Sequence, residues 1–563
     1  MTHPLRSIHI GVVLALLLSL SSPSQAQSTT PYDSGGELSV EQASYDVLHY
    51  DLSISLDPTT QTVEGEVVVT ASVHAPLSWF VLDLDPLLTV STVWQVWKGD
   101  EVRLPKEQVE IRGGQIWIRP FRTHQPGETI SYGVAYGGSP RIAPNPPWDG
   151  GIQWEKTPSG ADWIATSCQT VGADVWWPVK DHVSDEPATM DIHIRVPEPL
   201  VAASNGRLRD IEQHEDQTRT YHWHVSNPIN VYNVALNIAP YRVIEDEMES
   251  VAGDVYPIQF YVLPEDYEKG LELFEEIKDH LAFYEEFVGP YPFRSDKYGV
   301  AQTPHLGMEH QTIIAYGAGF DNTSMTRGTD LGFDALHHHE LAHEWWGNLV
   351  TNSDWSDMWL HEGFGSYMQP LYREYLLGAD SYDEAMMQQR RGIRNTKSLA
   401  PDSILTSQSI YAGHDIYSKG SWVLHTLRYL VGDETFFTIL RRQAYPSPEW
   451  ETRTDGSQTR FATSEDFQGL AEAWSKQNLS WFFDLYLRQP EVPRLSITRD
   501  ATSALISWTT PDGLPFPMPI DISIDGKIRR IDVPERGAVI TVSESAELVL
   551  DPNNRVLRAG NGE

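Results

Sequence analysis

Residues 334–367 read DALHHHELAHEWWGNLVTNSDWSDMWLHEGFGSY, and the organisation of the whole chain follows from them. Within this stretch His339-Glu340-Leu341-Ala342-His343 forms the pattern HExxH. On an α-helix, positions i and i+4 share one face about a turn apart, so His339 and His343 can offer imidazole nitrogens to a single ion. Glu340 then stands within reach of a water beside that ion but is poorly placed to be a ligand. A catalytic zinc takes three protein ligands and keeps one position open. Glu362, nineteen residues beyond His343, is the natural third ligand.

The pattern alone is weak, because a chain with 20 His and 78 acidic residues can produce it by accident. Its surroundings are more informative. Residues 335–350 contain no proline, and Leu336, Leu341, Trp345 and Leu349 recur as on a buried helix, so a helix is predicted over 335–350. A second helix is predicted over 358–377, with Trp359, Phe364, Tyr367, Leu371, Tyr375 and Leu376 as its apolar set. Helix, short loop and helix can return Glu362 to the histidine pair. His337 and His338 do not repeat the spacing and are read as bystanders.

HELAHEWWGN followed by WSDMWLHEGFGSY resembles the aminopeptidase N family of gluzincin zinc peptidases. The resemblance implies a thermolysin-like, mainly helical catalytic domain and one zinc ion per chain, held by His339, His343 and Glu362. It also implies hydrolysis of the N-terminal bond of peptides with a free α-amine. The family carries a Gly-x-Met-Glu-Asn motif on an edge strand. Here the corresponding residues are Leu306-Gly307-Met308-Glu309-His310, so Met308 and Glu309 match while Leu306 and His310 depart. By this resemblance Glu309 binds the substrate ammonium, Gln169 helps to hold it, and the peptide pairs with the strand around Gly307. The family's catalytic tyrosine lies in a Tyr-x-Lys-Gly stretch. That points to Tyr417 of Tyr417-Ser418-Lys419-Gly420, with Tyr411 six residues upstream as the competitor.

The chemistry of the role that the resemblance gives Glu309 can be stated without the family. An exopeptidase must recognise a chain end, and a buried carboxylate facing an ammonium does so through a charge-assisted bond. A blocked N-terminus would leave that charge unpaired. Glu340 is the expected general base, and the resemblance makes Tyr417 the donor to the developing oxyanion.

At 563 residues the chain is too long for one core. A net charge of −37 repels phosphate backbones and argues against nucleic-acid binding. Arg6, the apolar run 10–20 and Ser24-Gln25-Ala26 read as a signal peptide over 1–26, so the chain is expected to be exported, to periplasm or medium, with no transmembrane helix in its mature form. Cys168 is the only cysteine, which excludes an intrachain disulfide.

Residues 27–36 are expected to form a disordered leader. Alternation such as Tyr50, Leu52, Ile54, Leu56 marks an N-terminal antiparallel β domain over 37–245. The texture turns helical over 246–490, where 264–288 is amphipathic and 298–301 reads as a strand. Alternation returns over 491–563, with Asp525-Gly526 as a hairpin turn, and is read as a small β-sandwich. The fold class is thus multidomain α+β. Many family members continue into a large helical domain; none is expected here, so neither is a long closed substrate chamber. Two other functions fit parts of the pattern: a zinc endopeptidase, which needs no amine anchor, and a scaffold that has lost its chemistry. Hydrolysis of a non-peptide such as a lipid epoxide is a variant of the first reading.

Overall fold

Alternate burial of Tyr50, Leu52, Ile54 and Leu56 makes one face of strand Tyr45–Asp57 apolar, and this strand sits in the middle of the largest sheet. The structure, a computed structural model, describes residues 33–326 and 328–560; the expected signal peptide over 1–26 lies outside them. The largest sheet has eight strands. It is mostly antiparallel, but Tyr45–Asp57 pairs parallel with Thr189–Pro197, a departure from the antiparallel expectation. The chain builds other strands first and returns to this sheet by a long crossover, as a parallel pair requires. A four-stranded and a three-stranded sheet complete the N-terminal β-rich region.

A five-stranded mixed sheet begins the catalytic region. Its first strand is Arg242–Glu249, so the change of domain falls a few residues before 246. Gly307–Met308 forms its edge and pairs antiparallel with Ile314–Tyr316. Nine α-helices follow among the described residues: α1 (Tyr267–Phe287), α2 (Ala335–Ala342), α3 (Trp359–Leu377), α4 (Ala379–Arg390), α5 (Ser407–Tyr411), α6 (Ser418–Val431), α7 (Asp433–Ala444), α8 (Ser464–Ser475) and α9 (Ser480–Tyr486). None is long and apolar enough to cross a membrane. Two three-stranded sheets between Arg494 and Leu550 form the C-terminal β region. Asp525 and Gly526 both have positive φ, 49° and 77°, as a tight hairpin turn demands.

Two expectations are corrected. Regular helix ends at Ala342 rather than running to 350. Beyond His343 the chain stays coiled but widens, with Asn348 N–H bonded to His343 O and Leu349 N–H to Glu344 O, five residues back in each case. Gly347, at φ 150°, lets the chain turn into the short strand Val350–Asn352. The leader expected over 27–36 is not free throughout. Gly35 bridges Thr406, Ser407 N–H donates to Ser34 O at 2.9 Å, and His182 Nε2 donates to Gly36 O at 2.9 Å. Buried backbone partners outweigh the polar composition there.

Two buried carboxyls give the fold a pH dependence. Burial pushes Asp83 up to about 7 and Glu186 up to about 8. Each binds more protons folded than unfolded, so its contribution is complete below about pH 4 and is lost as pH rises through the folded value. Asp83 alone is expected to take ~1–2 kcal/mol from stability to urea between pH 6 and pH 9, against an opposite trend from Lys297 and Lys419, whose amines burial lowers to about 7 and about 8. The Asp83→Asn variant should lack that loss relative to the unsubstituted chain, and an unchanged slope would count against this account.

Candidate metal centre and active site

The α2 helix starts where Asp334 caps it: its carboxylate accepts from His337 N–H at 2.9 Å and from Tyr316 Oη at 2.5 Å. The cap ties the helix to the sheet beside the edge strand. His339 and His343 emerge on one face, and α3 brings Glu362 against them in its first turn. His339 Nε2 lies 3.2 Å from Glu362 Oε2, and His343 Nε2 lies 3.6 Å from the same oxygen and 3.3 Å from His339 Nε2. This trio is the only group of three such donors among the described residues that converges on one point. His337 and His338 turn away: His337 bonds His280 and Tyr298, and Tyr284 donates to the carbonyl of His338.

The trio fits a zinc ion. His343 Nδ1 donates to Trp346 O at 3.0 Å, which leaves Nε2 as the lone-pair nitrogen facing the other ligands. Burial lowers His339 to about 4, keeping its ring neutral as a ligand must be. Burial also raises Glu362 and Glu340, and the carboxyls of Glu309 and Glu362 raise Glu340 further. Acceptors crowded in a dry pocket call for a dication, and two imidazoles with one carboxylate are a zinc donor set.

Glycines set the spacing. A Cβ on Gly365 would lie 3.1 Å from the His339 ring and 3.3 Å from the His343 ring. Gly363 faces Gly420 across the α3–α6 crossing, where an added Cβ would come within 2.9 Å of the Gly420 Cα. The glycine of Tyr-Ser-Lys-Gly is therefore a packing residue that brings Tyr417 toward Glu362. Lys419 is buried and donates to the carbonyls of Gln489 and Pro490. At Gly307 a Cβ would sit 2.5 Å from Glu340 Oε1, so the edge strand runs directly past the expected base.

Glu309 follows this strand and is buried. Its carboxylate accepts from Gln169 Nε2 and from Tyr232 Oη at 3.0 Å, and burial pushes it up to about 7. Gln169 Oε1 and Glu362 Oε1 lie 3.0 and 2.9 Å from Tyr411 Oη, so the amide joins Glu309 to a metal ligand through that phenol. Tyr417 lies with its ring 6.1 Å from that of His339 and is 36% exposed, facing a cavity of about 430 Å³ that Tyr411 also lines. Met308 is buried in the edge strand, and His310 is buried behind it with burial lowering its ring to about 3.

All nine residues singled out in the sequence thus meet around one centre. Two further contributors were missed. Tyr232 holds Glu309, but no pattern marks Asn230-Val231-Tyr232-Asn233. Asn348 donates to Glu309 O at 3.0 Å and accepts from Asn233 at 2.7 Å; it closes the motif HELAHEWWGN and was in plain view there.

Known proteins share this arrangement of domains. Residues 47–232 match the model of the Peptidase M1 N-terminal domain, and residues 272–484 that of the Peptidase family M1 domain. Human endoplasmic reticulum aminopeptidase 1 is 26% identical over 543 residues, covering 91% of this chain and 55% of its own. Human glutamyl aminopeptidase is 25% identical over 353 residues, 59% of this chain and 35% of its own. The chain spans about half the length of the curated relatives it matches. Among solved structures, a mutant M1 zinc metallopeptidase from Deinococcus radiodurans bound to a Tyr-ser-ala substrate superposes with a TM-score of 0.65 at 23% identity, over 81% of this chain and 96% of that one. Legionella pneumophila aminopeptidase A in complex with aspartic acid gives 0.73 at 18% identity, over 91% and 59%. At these identities the two structures establish the fold.

The α3–α6 crossing yields a direct test of the centre. Gly363→Ala forces the helices apart at the Gly420 contact and should cost about 1–3 kcal/mol of stability through overpacking. Because Glu362 precedes it, zinc retention during dialysis should fall as well. Wild-type melting and full zinc retention in this variant would show that the close approach is not needed.

Proposed function

The chain belongs to peptidase family M1, and on that premise we propose that it is an exported zinc aminopeptidase with one catalytic ion per chain, removing the first residue from peptides with a free α-amine. One observation carries the reading: Glu309 is buried beside the His339–His343–Glu362 trio with only neutral donors, Gln169 and Tyr232, on its carboxylate. A substrate ammonium supplies the missing positive charge. The relatives named aminopeptidases support the same reading. Export rests on Arg6, the apolar run 10–20 and Ser24-Gln25-Ala26, with cleavage after Ala26.

Bound zinc supplies Lewis acidity, polarising a carbonyl and acidifying water. Glu309 and Gln169 fix the amino end, so that bond one rather than bond five reaches the centre. The edge strand Gly307–Met308 offers backbone groups to an extended peptide, which adds as a further strand. Glu340, against Gly307, takes the proton of the attacking water and returns it to the departing amine. Tyr417 donates to the oxygen on which charge develops, a bond that strengthens only as the charge appears. Both phenols reach Glu362, but Tyr411 is also held by Gln169 while Tyr417 is the more exposed of the two, which favours Tyr417 as the donor and Tyr411 as a positioning group.

Aminoacyl chromogenic substrates should be hydrolysed, the activity lost to a chelator and restored by zinc; no turnover with zinc bound would overturn the proposal. Free peptides should be cleaved and N-acetylated ones should not, and Glu309→Ala should erase that preference. Equal cleavage of both by the unsubstituted protein would instead mark an endopeptidase. Tyr417→Phe should lower kcat by about 10² while Tyr411→Phe costs less. The opposite ranking would assign the oxyanion donor to Tyr411.

A further inference from the structure

Far from this centre in sequence, one face of the eight-stranded sheet carries a row of imidazoles and carboxylates. His193 on Thr189–Pro197 stands directly opposite His222 on Thr218–Val225, and their Nδ1 atoms are 2.7 Å apart. The other ring nitrogens face acids on the two flanking strands. His193 Nε2 lies 3.3 Å from Asp51 Oδ1, and His222 Nε2 lies 3.7 Å from Glu212 Oε2. Both rings line an open groove of about 850 Å³.

The order of charges along this row is informative. Asp51 favours a proton on His193 Nε2, and the 2.7 Å approach of the two Nδ1 atoms is that of a hydrogen bond, one ring's Nδ1–H donating to the lone pair of the other. A metal ion that takes the place of that one proton gains both Nδ1 lone pairs as ligands. Arg195, which also lines the groove, is turned to Asp216 and Thr218. The next rung, where His224 and His49 both face Asp191, adds further acceptors and no fixed cation. Imidazoles braced by carboxylates on their far nitrogens are the arrangement that orients metal-ligating histidines.

We propose that His193 and His222 form a second, exchangeable site for a divalent transition metal of the zinc–copper class, with Asp51 and Glu212 orienting the two rings. Imidazole nitrogen suits these ions, and copper(II) should bind more tightly than zinc. Only two protein donors converge here, so solvent completes the coordination and the ion is held less firmly than one at the buried trio.

The test is equilibrium dialysis of the full chain, freed of metal, against zinc and then copper(II). Two equivalents are expected per chain, one firm and one weaker. The weaker one should vanish in His193→Ala and in His222→Ala, and Asp51→Asn should weaken it about 10- to 100-fold. Copper in the weaker site should show an electron paramagnetic resonance signature of two nitrogen ligands. These positions are on an exposed sheet face, and melting curves check that each variant folds. A single equivalent in the unsubstituted chain, or a second one that survives in the double variant, would overturn the site and leave a proton-sharing histidine pair. Loss of the firm equivalent alone would bear on the catalytic reading and not on this one.

Discussion

Three carboxyl groups and two imidazoles are buried together, and the fold around them is the device that keeps them there. Glu309 and Glu362 each raise Glu340, and burial raises all three. Like charges 4 Å apart repel by about 4 kcal/mol at an effective dielectric of 20. Such a cluster is unfavourable by itself and becomes favourable around positive charge. The pocket asks for two kinds: a dication between His339, His343 and Glu362, and a monocation at Glu309. On the proposed reading the first is the metal ion and the second the amino end of a substrate.

Separation is held by absent side chains as much as by present ones. Gly365 admits the two imidazoles to α3, Gly363 and Gly420 let α3 and α6 touch, and Gly307 lets the edge strand pass Glu340. Around them a polar lattice joins the parts of the chain. Asn348 links the end of the metal-binding segment to the backbone of Glu309 and to Asn233, while Gln169 reaches from the N-terminal region to Glu309 and Tyr411. No single domain contains the whole centre.

Local periodicity made much of this legible. The helix carrying Glu362, the amphipathic helix α1, the edge strand at Gly307 and the Asp525-Gly526 turn follow from spacing and turn chemistry. The metal ligands were legible for the same reason, since two lie one helical turn apart. Glu309, Gln169 and Tyr417 were not, because nothing local distinguishes them from a capping acid, a loop amide or a packing tyrosine; only likeness to a family singled them out. Tyr232 escaped both routes. Its contact with Glu309 spans 77 residues, and no periodic pattern reports such a pairing. The tail of the predicted helix over 335–350 was misread because apolar spacing cannot distinguish a regular helix from one that widens after His343.

The short stretch 33–36 has a bearing on biogenesis. Its anchor, Asp33 against Gln408, closes across 375 residues, and Ser407 from the same loop bonds Gln169. During synthesis residues 33–36 leave the ribosome long before their partners exist. The loop leading into Tyr411 cannot be tied to residues 33–36 until positions 407 and 408 have been made, well past the middle of the chain.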